Sequence, residues 1–372
     1  MSPRVTAGAY VLGGVLLLTI GGIAATLGVW STGARSVSTA KPINLWQPSS
    51  GTVHRTITVA QWDTLWTFPP HNGDESEYST PRLLVADGSR VYVYDQQSRM
   101  ILALDEHGRV IWKIGSGTKE LGTFGSGVDM KLAPDGMLNV LDPESARIIR
   151  IDTGGKIVGR VVLAHTPRIA QFAPIDGGRS VLMPILGGTE FDVIGPNGST
   201  LNRTATPWAG VQNLNPLARQ GTLMSNRGGT WIFAFSFGDG WFGFRDTTPL
   251  SYLGRYVEYK SFPDVTVITN GRKSSGMRME DAECTACALA MSDSSVFFLA
   301  GGSSTSMRRL IDEFSLSSGS YLRSYQLPQP MIALSVVDGQ YYVISTGLTA
   351  RHVLALRPKF DRARDTATAR EP

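Results

Sequence analysis

Residues 83–115 read LLVADGSRVYVYDQQSRMILALDEHGRVIWKIG, and residues 131–163 read KLAPDGMLNVLDPESARIIRIDTGGKIVGRVVL. The second run is a copy of the first. Asp87-Gly88 maps onto Asp135-Gly136 at an offset of 48. After a one-residue deletion, Asp95 maps onto Asp142, Asp105 onto Asp152 and Gly108 onto Gly155, all at an offset of 47. A repeat of this length built from short β runs specifies a β-propeller or a related array.

Each copy parses into four short antiparallel strands, which make one blade. In the first, Leu83 to Val85 enters the Asp87-Gly88 turn, where glycine permits positive φ. Val91 to Tyr94 follows, β-branched and aromatic as strands prefer. Asp95 to Arg99 turns the chain into Met100–Leu104, and the Asp105–Gly108 turn leads to Val110–Ile114. The repeated Asp95 and Asp142 stand directly after a strand, and the expectation for them is acceptance of loop N–H groups rather than catalysis.

Weaker copies continue the pattern. Ile175 to Gly178 precedes Val181 to Met183, and Phe191 to Ile194 runs into Pro196-Asn197-Gly198. The run TWIFAFSFGDGWFGFRD (residues 230–246) alternates Trp231, Phe233, Phe235 and Phe237 with smaller residues into a Gly238-Asp239-Gly240 turn. Large side chains there suit the core between blades better than a ligand platform. Units start near residues 82, 128, 168, 216, 285 and 331, which is six, at roughly 51 residues per blade. The last unit lacks one strand and Val53 to Phe68 has strands to spare, so the N-terminal segment is expected to complete the final blade and close the ring.

The fold expectation is all-β: a six-bladed propeller of four-stranded antiparallel blades over residues 52–358, preceded by one N-terminal transmembrane or signal helix. No charged residue occurs from Val5 to Ala34, and Tyr10 to Trp30 is long enough to cross a bilayer. Residues 1–34 read as an uncleaved anchor, with a cleaved signal peptide as the alternative. Residues 35–51 form a Ser/Thr/Pro-rich linker, and 359–372 a polar, disordered tail. The propeller is expected outside the cytoplasm, periplasmic or extracellular. The 372 residues carry 42% hydrophobic and 18% charged residues with a net charge of +4, which describes a folded chain. No Lys/Arg-dense run stands out, so nucleic acid is not an expected partner.

From Val91 to Ile157 the sequence resembles the NHL-type repeats of six-bladed bacterial propellers. The carriers are VYVYDQQSRMILALDEHGRVIWKIGSG, the intervening LGTF, and APDGMLNVLDPESARIIRIDTGGKIV. The resemblance covers two blades. It implies a binding scaffold for peptides, proteins or other polymers. Some six-bladed relatives are instead enzymes, notably calcium-dependent lactonase-like hydrolases and copper/zinc lyases.

Motifs for chemistry are sparse. Gly115-x-Gly117 lacks a Gly-Lys-Ser/Thr end, no Gly-x-Ser-x-Gly elbow occurs, and the five histidines show no ligand spacing. Asn139, Asn213 and Asn215 are calcium-ligand candidates only if separate blades bring them together. Cys284 and Cys287 are the two cysteines of the chain and read as a local disulfide in an exported protein. A zinc site would need two further ligands, and no CxxC or HxxxH partner exists.

The clearest break in the repeat runs from Arg245 to Cys287, an insertion-like stretch. Its candidate binding residues are Tyr252, Tyr256 and Tyr259, with Arg272, Lys273 and Arg278 in NGRKSSGMRMEDAECTAC. The resulting expectation is a membrane-tethered or exported binding module without catalysis of its own and without a cofactor. Its partners would be a protein, peptide or polymer on the propeller face, and the membrane through the N-terminal helix. The alternative is a metal-dependent hydrolase or lyase, lactonase-like and taking calcium, with its site in the central channel.

Overall fold

The computed structural model describes residues 55–58, 61–69, 78, 80–115, 124–125, 127–163, 169–184, 189–208, 210–258, 261–270, 273–279, 283–301, 308–346 and 351–359. Residues 1–54, with the apolar N-terminal segment, lie outside them. No helix among the described residues is long and apolar enough to cross a membrane.

Two N-terminal strands come first, β1 (Ile57–Thr58) and β2 (Gln61–Phe68). Blade 1 is β3 (Pro81–Ala86), β4 (Val91–Asp95), β5 (Met100–Leu104) and β6 (Val110–Gly115). Blade 2 is β7 (Asp129–Leu132), β8 (Leu138–Asp142), β9 (Arg147–Ile151) and β10 (Ile157–Val162). Blade 3 is β11 (Ile169–Pro174), β12 (Ser180–Pro184), β13 (Glu190–Ile194) and β14 (Thr200–Ala205). Blade 4 is β15 (Gly221–Ser225), β16 (Thr230–Phe235), β17 (Trp241–Arg245) and β18 (Thr248–Gly254). A separate hairpin follows, β19 (Val265–Asn270) and β20 (Lys273–Met279). Blade 5 is β21 (Ala286–Met291), β22 (Ser295–Ala300), β23 (Leu310–Ser315) and β24 (Tyr321–Gln326). Blade 6 has β25 (Met331–Val337), β26 (Gln340–Ser345) and β27 (Val353–Lys359).

Every blade is an antiparallel sheet in chain order, with its first strand innermost. The innermost strands β3, β7, β11, β15, β21 and β25 neighbour one another in a ring that closes from β25 back to β3. The N-terminus completes that ring. β2 pairs antiparallel with β27, from Gln61 opposite Lys359 to Phe68 opposite Val353, and so supplies the missing fourth strand of blade 6. β1 adds a parallel fifth strand to the outer edge of blade 5, through Ile57 opposite Ser324. Both edges that the C-terminal repeats would leave open are thus covered by N-terminal chain.

Six apolar clusters fill the six spaces between blades. The aromatic stripe of β16 and β17 lies in the one between blades 3 and 4, where Phe191 of β13 meets Trp231 and Phe233 with ring centroids 5.3 Å apart. Full burial of each such ring stabilises by about 1.5–3 kcal/mol.

A recurrent joint seals the blade interfaces. The Gly108 turn of blade 1 receives Trp66 from β2, and a Cβ at Gly108 would fall 2.7 Å from that ring. Gly155 of blade 2 receives Trp112 from β6 in the same way, with its Cβ position 2.8 Å from the indole. Both glycines have positive φ, +76° and +86°. Trp112 also donates its indole N–H to Thr153 O at 3.0 Å. The repeated glycines therefore serve the turn and the aromatic side chain of the preceding blade together.

The repeated aspartates act as loop acceptors. Asp95, fully buried, accepts the Thr80 N–H (2.8 Å) and the Ser98 N–H (2.8 Å) and hydroxyl (2.9 Å). Asp142 accepts the Ser145 N–H and pairs with Arg147 at 3.0 Å.

Candidate binding face

The alternation of strand direction sorts the connections onto two faces. The turns after the first and third strands of each blade, including Asp87-Gly88 and Asp105–Gly108, form the turn face. The connections after the second and fourth strands form the opposite, loop face.

The loop face carries the break in the repeat, and its boundaries differ from the expected ones. Residues 248–254 are β18, the ordinary outer strand of blade 4, paired from Arg245 opposite Thr248 to Trp241 opposite Gly254. The insertion therefore begins at Arg255, not at Arg245. Tyr252 belongs to the blade. A Cβ at Gly319 would collide with its ring, and its hydroxyl donates to Leu316 O of blade 5. It is the counterpart of Trp66 and Trp112 at another blade joint, and burial pushes its hydroxyl up to about 12.

The insertion is fastened at both ends to one turn, Ser236 to Gly240. At its start Tyr256 is buried; it donates its N–H to Asp239 Oδ1 (3.1 Å) and its hydroxyl to Phe235 O (2.8 Å). Burial raises the Asp239 carboxyl above the usual range, offset in part by the Tyr256 N–H and by Arg255, whose Nε lies 3.6 Å away. Phe262 packs edge-on against Phe235 (5.2 Å between centroids) and over Gly238, where a Cβ would fall 2.6 Å from its ring. At the returning end Thr285 donates its N–H to Ser236 O (2.8 Å), and Cys284 is disulfide-bonded to Cys287 of β21. Between these anchors, among the described residues, β19 and β20 pair only with each other.

Of the residues singled out from the sequence, Tyr252, half-buried, and Tyr256, buried, thus pack inward as fasteners. Lys273 opens β20 opposite Asn270. Arg278, opposite Thr266, is exposed. Tyr259 and Arg272 lie outside the described residues. The signal that separates Tyr252 from a binding residue is its register, since it occupies the outer strand as Trp112 does.

One side chain spans the axis on the turn face. Arg227, in the first turn of blade 4, donates from Nη2 to Asp87 O (3.1 Å) in the first turn of blade 1, the blade diametrically opposite. A cleft of about 400 Å³ lies on this face between blades 2 and 3, lined by Asp135, Asn139, Arg150, Asp176 and Arg179 among others. Asn139 is buried there with Oδ1 unpartnered, whereas Arg150 pairs with Asp135. Asn213 and Asn215 sit in the connection between blades 3 and 4, away from Asn139, so the three asparagines are not brought together. Among the described residues no three His, Cys, Asp or Glu side chains gather as a metal-binding group.

No family model matches this chain, and no curated protein matches it. Solved structures are similar to it at low identity. Virginiamycin B lyase from Staphylococcus aureus is 11% identical at a TM-score of 0.48, covering 80% of this chain and 99% of its own. The Cps50 (Swd1) β-propeller domain of Myceliophteria thermophila is 9% identical at 0.46, over 79% of this chain and 99% of its own. BamB from Moraxella catarrhalis is 13% identical at 0.36, over 75% and 85%. This protein is a six-bladed β-propeller, an assignment that rests on its own strand order and is consistent with the NHL-type resemblance.

Proposed function

We propose that this protein is a binding module without catalysis of its own, tethered to a membrane or exported, which takes a protein, peptide or polymer on its loop face. The observation that carries this reading is the insertion: a hairpin whose strands pair with no other strand among the described residues, fixed at both ends by buried contacts and a disulfide to a rigid blade. Recognition elements are commonly loops held by a rigid scaffold, and an unpaired hairpin edge is a template for strand addition. The disulfide suits an oxidising compartment and so supports the extracytoplasmic placement. The apolar run Tyr10 to Trp30 would provide the tether.

The test has two arms. The full chain is purified in mild detergent from its native membrane, and both its metal content and its co-purifying macromolecules are measured. The binding reading expects a partner at a fixed ratio that persists after chelation. Stoichiometric calcium, zinc or copper, with a hydrolase or lyase activity lost on chelation, would overturn it in favour of the lactonase-like alternative.

A further inference from the structure

The cleft between blades 2 and 3 on the turn face departs from the other blade interfaces at one position. Asn139 is the second residue of β8, and its neighbours Leu138 and Val140 pack into the cluster shared with blade 1. Strand alternation therefore turns Asn139 toward blade 3. The corresponding residues on the second strands of the other blades are Tyr92, Val181, Ile232, Phe297 and Tyr342. Each of these lies in the apolar cluster shared with the following blade. Only blade 2 puts an amide there.

Asn139 stands in register between Lys131 of β7 and Arg150 of β9, so a polar row crosses the blade. Neither flank satisfies its carbonyl. Lys131 Nζ donates to Asp129 Oδ1 (2.7 Å), and Arg150 pairs with Asp135 at the rim. Asn139 is 6% exposed, and its Oδ1 is buried with no hydrogen-bond partner among the described residues. It lines a cleft of about 400 Å³, within the ~300–1,000 Å³ of small-molecule sites. A buried acceptor left unpaired is a standing cost that a donor in the cleft would remove.

The groups around that acceptor select the charge of the ligand. Arg150, Arg179, Asp135 and the exposed Asp176 line the same cleft. Arg179 donates from Nε to Asp176 O (3.0 Å) and from Nη1 to Asp246 Oδ1 (2.7 Å). Each guanidinium carries five N–H donors, more than these partners use. An ammonium would satisfy Asn139 but meet two guanidiniums. A phosphate or carboxylate would satisfy the guanidiniums but meet two carboxylates and the Asn139 acceptor. A hydroxyl both donates and accepts, and answers both kinds of group without like-charge repulsion. Pro134 and Pro174 add apolar wall for the C–H faces of such a ligand.

We propose that this cleft is a binding site for a neutral polyhydroxylated ligand, a saccharide unit, with Asn139 accepting one ligand hydroxyl at the floor and Asp176 another at the rim. The site lies on the face opposite the one assigned to the β19–β20 hairpin and does not depend on it, so its failure would leave the proposed function standing.

A printed array of neutral oligosaccharides, built from hexoses, pentoses and N-acetylhexosamines, tests it when probed with the detergent-purified full chain. Spermidine and inorganic phosphate serve as separate competitors at matched ionic strength. At least one glycan should be retained, and neither charged competitor should displace it. Asn139→Leu, which gives blade 2 an apolar residue as in the other blades, should lower retention about 10-fold with a Tm within about 2 °C of native. Asp176→Ala, at an exposed turn residue, should also lower retention, and it decides alone if Asn139→Leu fails to fold. Arg357→Gln, exposed on β27, should leave retention unchanged. No glycan retained, retention undiminished in the folded cleft variants, or displacement by spermidine or phosphate would overturn the proposal.

Discussion

Arg55 holds Asp312 in a two-pronged ion pair, Nε to Oδ1 at 2.9 Å and Nη2 to Oδ2 at 2.8 Å. The pair joins the N-terminal segment, just ahead of β1, to the third strand of blade 5. Glu258, at the base of the insertion, is a second partner of Arg55, and the Ser324 hydroxyl donates to Asp312. Burial alone would lower the arginine pKa, but the two carboxylates outweigh it and the guanidinium is held more firmly protonated than usual. One residue therefore links the chain terminus that closes the ring with the element proposed to bind.

Removing one partner leaves the other buried and uncompensated. Arg55→Ala should lower the unfolding free energy by about 3–5 kcal/mol, read as a fall in the denaturant midpoint. A change under about 0.5 kcal/mol, the range of ordinary surface substitutions, would show that the N-terminal clasp is not a stabilising contact.

The glycine–aromatic joints predict an unequal response to small changes. Gly155→Ala introduces a methyl group at φ +86° and against Trp112, and should cost about 1–3 kcal/mol. Gly136→Ala meets the same kind of backbone, φ +81°, but open space, and should cost less. Equal losses at the two positions, measured by chemical denaturation, would mean that the aromatic contact adds nothing to the backbone requirement.

Asp105 gives a pH signature. The Arg109 N–H, then its guanidinium and the His107 N–H, hold this carboxylate down to about 2. A carboxyl depressed on folding contributes stability that is fully present above its unfolded value and lost as pH falls through its folded one. The native chain should therefore lose part of its stability between about pH 4 and 2. Asp105→Asn should show a flatter Tm profile across that window, with no difference in slope above pH 5.

The fold was legible because each blade repeats local chemistry: an Asp-Gly turn, a strand ending in Asp95 or Asp142, and a turn glycine. Closure was legible too, since Val53 to Phe68 held strands that the final unit lacked. The roles of Tyr252 and Tyr256 were not, because what fixes them is packing against Gly319 of blade 5 and the Ser236–Gly240 turn. Local pattern shows only aromatics in an irregular stretch. The insertion itself was visible, but residues 248–254 of the stretch are the seven-residue outer strand of a blade whose repeat had eroded.

The central claim is that the β19–β20 hairpin is a binding element carried by an otherwise complete propeller. It is tested by replacing residues 265–279 with a short Gly-Ser linker in the full chain, then measuring both the Tm and retention of the partner that co-purifies with the native protein. The account predicts a Tm within about 2 °C of native, because among the described residues the hairpin pairs with no blade, together with loss of the partner. A variant that melts as the native chain does and still holds its partner at the native ratio would contradict it.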